Sequence, residues 1–482
     1  MAHPQFEAVN LISDPIHGYI ELTKRLTPEQ AARAGLPAED AAEEDLLDTK
    51  WLQRLRRISQ LQSARWVFPG GEHSRFVHGL GVMHEAGLWA RALYPTLREQ
   101  LLADTLAEGE ASEHAIPSEA LVVETARVAG LLHDVGHGPF AHFFDEHVLC
   151  RYPAPSHPSR DPAKRLTHED LGQAIVEHEL GRLIEALRRA PHAETERAAF
   201  AEGETIEPGW IGFLISKPPL RDPTIPLWVR RLQPLFSGVF TVDNLDYVRR
   251  DAYMTGVAAQ GLVDADRLRR YAFISERGLA LYEPGLGALE MFLTARLFLY
   301  NTIYFHRTVR AIDLDLAEAF APAIDALFGR RDPLEDLPAY ADLDEYALLH
   351  QAARWARGVD VSEDVSPGDG RVTPGVAGLW RGILLRRPTW RTVREIRRDS
   401  RSGLSQAEIE EQLKAEMGAA GANGRLRLDL AVADVRPQNP ILAEGQLIVA
   451  RRDGTLDSAP LETLLERLPA VVVVGRAYER AG

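Results

Sequence analysis

The sequence predicts a mostly α-helical protein with a smaller C-terminal α/β lobe, and three observations predict it. Apolar residues recur at helical spacing through long segments from Leu47 to Leu327. Beyond Gly358, Gly and Pro become frequent, and Leu426–Val432, Gly445–Arg451 and Ala470–Tyr478 read as strands. Hydrophobic residues make up 45% of the 482 and charged residues 26%, which supports a large core and excludes a disordered or fibrous chain. On this reading residues 1–330 form the helical body, and residues 331–482 form a helical plus α/β lobe for regulation or oligomerisation. There is no internal repeat.

The elements follow in order. Asp14-Pro15-Ile16-His17-Gly18 is a turn leading into a short alternating strand that ends near Leu22. Thr27 to Glu44, rich in Ala, Glu and Pro, reads as a surface insertion. Leu47 to Gln62 reads as one amphipathic helix with basic flanks at Arg54, Arg56 and Arg57. Phe76–Leu93 restarts a helix after Pro69-Gly70-Gly71, and Glu119–His133 suits a largely buried one. Pro153–Arg165 reads as an exposed loop. Helical patterns continue through Thr167–Arg189, Thr241–Tyr253, Ala288–Arg310 and Asp313–Leu327. The basic run from Arg386 to Arg401 reads as a solvated face, with polyanion binding as the alternative.

Charge narrows the partners. With 55 basic and 70 acidic residues the net charge is −15, which argues against a surface that coats nucleic acid or an anionic membrane, so any polyanion must be held by local arginines or a metal. One cysteine, Cys150, excludes an intramolecular disulfide and fits a reducing compartment. Apolar runs such as Ala470–Val474 are far short of the roughly 20 residues of a membrane helix, and Met1–Asn10 has no secretory pattern; the expectation is a cytoplasmic protein without membrane contact.

The chemistry is concentrated in histidines between His73 and His178. In Leu132-His133-Asp134-Val135-Gly136-His137-Gly138, an apolar helix ends in adjacent His and Asp. A buried imidazole beside a buried carboxylate is costly unless something satisfies both, and a divalent cation does so. The plainer alternative is a helix C-terminus whose His and Asp only cap or pair. His137 shares the face of His133 if the helix continues through Gly136. Arg75-Phe76-Val77-His78 puts a further histidine on a helix, and Asp243-Asn244-Leu245-Asp246-Tyr247 sets acids on another.

The order His78, His133-Asp134, Asp243 resembles the H…HD…D signature of the HD-domain metal phosphohydrolases. The flanking text, Asp14-Pro15-Ile16-His17-Gly18, Val67-Phe68-Pro69-Gly70, His133-Asp134-Val135-Gly136-His137-Gly138-Pro139-Phe140 and Asp243-Asn244-Leu245-Asp246-Tyr247, is similar to the deoxynucleoside triphosphate (dNTP) triphosphohydrolase branch, which includes the mammalian sterile-alpha-motif and HD-domain enzyme. The match runs from Asn10 to Arg310, with a weaker echo at Val435–Pro440; no sterile-alpha-motif domain is expected before Asp14.

The resemblance implies that His78, His133, Asp134 and Asp243 bind a divalent transition metal such as Fe, Mn, Zn or Ni, with Mg accompanying the nucleotide phosphates. His142 and His168 match histidines near the scissile phosphate. His168 is the implied general acid, or else a surface residue at a helix start. His137 and Asp145 would position water or orient the other groups, and Arg75 would either fork onto phosphate or form a structural ion pair. Gln60 and Leu61 match sugar contacts; Tyr247, Asp251, Arg296 and Tyr304 match residues around sugar, phosphates and base. Asn244 stands where the mammalian enzyme has a phosphate-binding lysine. Asp48, Gln53, Arg56 and Arg267 match positions that read a guanine-nucleotide or dNTP activator, although Tyr282 and Pro284 replace basic ligands there; alternatively Arg56 and its neighbours only stabilise a subunit contact. A homo-oligomer is implied, dimer to hexamer with a tetramer favoured, and single-stranded nucleic acid is kept as a candidate partner. The implied activity is release of deoxynucleoside and triphosphate from dNTPs. The alternatives are a phosphohydrolase for another nucleotide or phosphoester, and a nucleotide- or nucleic-acid-binding regulator.

Overall fold

A computed structural model describes residues 8–36, 41–108, 116–155, 163–192, 197–216, 224–402, 405–418, 426–434, 446–460, 468–469 and 471–480. The chain opens with an antiparallel hairpin, β1 (Val9–Asp14) and β2 (Gly18–Thr23), in the register Asp14↔Gly18. Asp14 closes its turn by accepting the backbone N–H groups of Ile16 (2.8 Å) and His17 (3.0 Å), a local bond that favours turns. The hairpin thereby presents His17 to the helical body.

That body is built on α1 (Arg75–Glu108) and α2 (Glu119–Leu132), joined by α3 (His168–Ile175), α4 (Val242–Thr255), α5 (Leu286–Leu299), α6 (Arg307–Phe328) and α7 (Glu345–Trp355). Side-chain caps set several starts: Ser118 accepts from Leu121 N, Thr167 from Asp170 N and Thr241 from Asn244 N. Each of the residues in α2 after Glu119 is buried, which accounts for its largely apolar text, broken only by the buried Glu124, Thr125 and Arg127. Among the described residues no helix is long and apolar enough to cross a membrane.

The architecture is mostly α with a smaller C-terminal region of strands, as the sequence predicts, and the basic run from Arg386 to Arg401 is largely exposed as expected, but three local expectations change. Thr27–Glu44 is not a plain surface insertion: Pro28–Ala34 is a helix, and Glu43 is fully buried because Arg127 donates to it at 2.6 Å. Leu47–Gln62 is not one helix but Glu43–Leu47 and Lys50–Leu55, followed by a 3₁₀ turn at Gln62–Trp66. Arg54 is no basic flank; it is buried, with its guanidinium consumed by the carbonyls of Leu343 (3.0 and 2.8 Å) and His137 (2.6 Å). The basic run is largely strand β5 (Trp390–Asp399), at the edge of a β5-β9-β6 sheet with β6 (Leu426–Asp434) and β9 (Val471–Arg480). Arginines on an edge strand blunt it against pairing with other chains.

The C-terminal strands are also stitched into the body. β7 (Gln446–Ala450), itself paired to β8 (Leu456–Pro460), runs parallel to β4 (Gly278–Tyr282), which pairs with β3 (Ala272–Ser275). The boundary expected near residue 330 is crossed by the hydrophobic core and by polar ties: Tyr340 Oη donates to Gly136 O at 2.7 Å, and Glu345 accepts the N–H groups of Ser59 (3.3 Å) and Phe140 (3.2 Å). The echo at Val435–Pro440 lies outside the described residues.

Close packing of α1 on α4 depends on one absent side chain. A Cβ at Gly81 would stand 2.0 Å from Asp246 Oδ1 and 2.4 Å from Arg250 Nη2. Both are buried and charged, so displacing them strands a carboxylate or a guanidinium in the core at about 3–5 kcal/mol. Gly81→Ala is therefore expected to lower the melting temperature by several degrees, measured by thermal unfolding, whereas alanine at the open Gly375 should not.

Candidate metal centre and catalytic pocket

Three elements bring four candidate ligand residues together. His78 projects from the first turns of α1, His133 and Asp134 follow the end of α2, and Asp243 sits in the first turn of α4. His78 Nε2 lies 3.1 Å from Asp243 Oδ1 and 3.9 Å from Asp134 Oδ2; His133 Nε2 lies 3.3 Å from Asp134 Oδ1 and 3.8 Å from Asp243 Oδ1. Ligands about 2.1 Å from a shared cation stand roughly 3–3.5 Å apart, so small adjustments close this shell. The decisive observation for fit is that His133 Nε2 is buried with no hydrogen-bond partner, while its Nδ1 is tied to Gly130 O at 2.8 Å. The carbonyl requires a proton on Nδ1 and leaves the Nε2 lone pair aimed at the carboxylates, as a metal ligand needs.

His78 is oriented in the same way. Its Nδ1 lies 2.8 Å from Asp246 Oδ2, and His17 Nε2 lies 2.6 Å from Oδ1 of that carboxylate. Arg250 completes the shell around Asp246 with Nε (2.8 Å) and Nη2 (2.9 Å), and also donates to Asp14 at 2.8 Å. Burial disfavours the charged form of His78, but Asp243 and Asp246 outweigh it and push the pKa up to about 10. Burial holds His133 below its ordinary value. Asp134, despite desolvation, is held well below the carboxylate range by Arg75, His133 and His137.

A second cluster, His137, His142, Asp145 and His168, adjoins the first. The helix does not continue to His137, which instead stacks on His168 with centroids 3.7 Å apart and points Nε2 to within 3.4 Å of Asp134 Oδ1. A Cβ at Gly136 would meet His168 O at 2.0 Å, so only glycine lets α3 approach this turn. Phe140 and Ala141 carry positive φ angles of 59° and 47°, a strained bend that starts the helix at His142 and is clamped by Glu345 on the Phe140 N–H. His168 is buried rather than a surface residue, and its Nδ1 lies 2.6 Å from Asp145 Oδ2. Burial lowers His168, yet Asp145 outweighs it and the net shift is upward; His137 falls well below its ordinary value through burial and the nearby Arg75. One ring is thus biased toward its charged form and its stacked neighbour toward the neutral one.

Both clusters face a cavity of about 470 Å³. It is lined by all four metal-centre residues, by Arg75, His142 and His168, and by each expected nucleotide contact: Gln60, Leu61, Asn244, Tyr247, Asp251, Arg296 and Tyr304. His137 and Asp145 stand behind it. Arg75 both lines the cavity and donates through Nη1 to Asp134, so the phosphate and ion-pair readings meet in one side chain. Arg296 Nε donates to Tyr247 Oη at 3.0 Å, and Tyr304 Oη donates to Asp251, which also takes His73 Nε2 at 2.9 Å.

Asp48, Gln53, Arg56 and Arg267 do not line this cavity. Arg56 donates to Gln53 at 2.9 Å and lies 3.6 Å over the Phe76 ring, whereas Arg267 lies on the separate helix Ala265–Tyr271, over Tyr271. Sequence reasoning assigned no role to His17, Asp246, Tyr300, Arg310 or Asp313. The spacing of Asp246 from Asp243, three residues on one helix face, was the available signal for the first pair.

Residues 75–227 match the HD domain model, and residues 263–359 match the HD associated region. The chain carries an HD domain. Among its relatives are an uncharacterised Bacillus subtilis protein, YwfO, 26% identical over 74% of this chain and 69% of that one, and the human deoxynucleoside triphosphate triphosphohydrolase SAMHD1, 27% identical over 71% of this chain. The chain spans about half the length of the SAMHD1 relatives it matches, 50% for the human protein. A hypothetical protein from Aquifex aeolicus shares its fold at a TM-score of 0.64 and 22% identity, covering 98% of this HD-domain chain and 96% of the other. A phosphohydrolase from Bacteroides thetaiotaomicron does so at 0.61 and 19%, covering 98% and 100%.

Because cation and proton compete for His78, metal binding near neutral pH should release about one proton, read by calorimetry in buffers of different ionisation enthalpy. His17→Ala should weaken metal affinity about 10- to 100-fold in a chelator competition without removing any ligand.

Proposed function

We propose that this HD-domain protein hydrolyses dNTPs to deoxynucleoside and inorganic triphosphate. The observation that carries the reading is the shared cavity: a four-residue candidate metal shell, the His168 imidazole held by Asp145 and a tyrosine-rich wall open onto the same space. A divalent cation held by His78, His133, Asp134 and Asp243 would supply a Lewis acid for the α-phosphate and acidify a water to serve as nucleophile. Two carboxylates make the loaded centre close to neutral, so an anionic phosphate is not repelled, and Arg75 adds positive charge beside it. Mg would accompany the β- and γ-phosphates.

His168 supplies the proton that the departing 5′ oxygen needs, and Asp145 both aims its ring and favours its charged form. His137, neutral and stacked on that ring, orients it without competing for the proton. His142, with a side chain 62% exposed at the cavity, is the second proton carrier. Tyr304, fixed by Asp251, and Tyr247, fixed by Arg296, give the sugar a stiff wall; a tyrosine against C2′ excludes a 2′-hydroxyl by contact. Gln60 and Leu61 close the other side. Asn244 contributes a neutral amide where the mammalian relative has a lysine, which favours weaker triphosphate binding. The similarity to proteins named deoxynucleoside triphosphate triphosphohydrolase supports this substrate class. Asp48, Gln53, Arg56 and Arg267 remain the candidates for an activator site or subunit contact in a homo-oligomer.

Product analysis with each dNTP and rNTP, with and without GTP, tests the reading: intact triphosphate and free deoxynucleoside are expected from dNTPs alone. Asp243→Ala should abolish turnover, and His168→Ala should lower kcat about 10²- to 10⁴-fold. Asp145→Asn removes what holds His168 above its ordinary pKa, so activity should fall away at a lower pH on the alkaline side; an unmoved alkaline limb would remove His168 from the acid role.

A further inference from the structure

One end of the cavity is lined by polar groups that the hydrolytic chemistry leaves unused. Arg310 and Asp313 lie one turn apart on α6 and face the cavity together, with Ser63 opposite. Arg310 is rigid: Nε and Nη2 grip Asp429 of β6 at 3.0 and 2.5 Å, while Nη1 lies 3.4 Å from Asp313 Oδ2. Ser63 Oγ donates to Asp313 Oδ1 at 2.5 Å. Each carboxylate oxygen has two acceptor positions and Nη1 has two N–H groups, so both residues keep bonding capacity directed at a ligand.

A carboxylate here is the wrong group for triphosphate, which it would repel. The adjoining wall is apolar, made by Leu61, Ala64 and Val309, and suits a flat aromatic ring with a polar edge. Guanine alone among the four bases presents two adjacent N–H donors, N1 and N2, beside an acceptor, O6. A carboxylate meets the first two as a bidentate, charge-assisted pair, and an arginine N–H meets O6. We propose that Asp313 and Arg310 read the base edge of the substrate and make guanine the preferred base, with Asp429 as a positioning residue that aims Arg310; this rests on the dNTP reading of the cavity.

The test uses the full chain, metal-replete, and compares kcat/KM for dGTP, dATP, dCTP, dTTP and dITP, which lacks the 2-amino group. The unaltered protein should prefer dGTP about tenfold or more over dATP, with dITP reduced. Asp313→Asn, close in shape, should erase that preference while leaving dATP within a few-fold, and Asp429→Asn should weaken it in the same direction through KM. A near-equal profile in the unaltered protein, or a uniform loss on all substrates in both variants, overturns the proposal. Turnover of all four bases without preference sinks base reading alone, whereas turnover of none sinks the dNTP reading beneath it.

Discussion

The buried carboxylate of Asp246 is the constraint on which the site depends. It receives His78, His17 and two nitrogens of Arg250 at 2.6–2.9 Å, and is thereby held far below the ordinary carboxylate range despite its burial. An unpaired charge at that depth would cost several kcal/mol, so each partner is obligatory to the others. Through this one side chain the N-terminal hairpin, α1 and α4 are locked into a single relative placement. The by-product of that placement is a fixed His78 ring with its free nitrogen aimed at Asp243 and Asp134.

Neighbouring imidazoles of like chemistry are then driven apart by their surroundings. Burial, and then Arg75, hold His137 well below its ordinary value and favour its neutral form. His168, a stacking distance away, is pushed the other way because Asp145 outweighs its burial. Separation of titrating behaviour between adjacent groups is how a site assigns donor and bystander. The strained bend at Phe140–Ala141 that sets His142 persists because α7 supplies Glu345 to hold it. Late segments of the chain thus hold groups encoded much earlier, and Asp429 likewise fixes the cavity-lining Arg310.

The text of the sequence was sufficient for the helical body, because apolar periodicity on α1, α2 and α4 reports burial directly. For the candidate ligands it needed help: His133-Asp134 at the end of an apolar helix allowed a cap or pair as well as a cation, and the resemblance to the HD-domain signature, not local chemistry, singled out the set of four. It failed where a polar residue's fate depends on distant chain. Arg54 has the same local setting as the exposed Arg56, and only the carbonyls of His137 and Leu343 bring it inside. Glu43 reads as one more acid in a soluble stretch until Arg127 arrives beneath it.

Sequence alone determined which helices form the body, since apolar periodicity follows from short-range spacing, and its resemblance to the HD-domain signature named the side chains that could bind a cation. Tertiary structure decided the rest: the spacing of the candidate ligand atoms, the opposite pKa shifts of two stacked histidines, and the stitching of C-terminal strands onto the body. Those outcomes depend on electrostatics and contacts between residues up to hundreds of positions apart, and no local pattern carries that information.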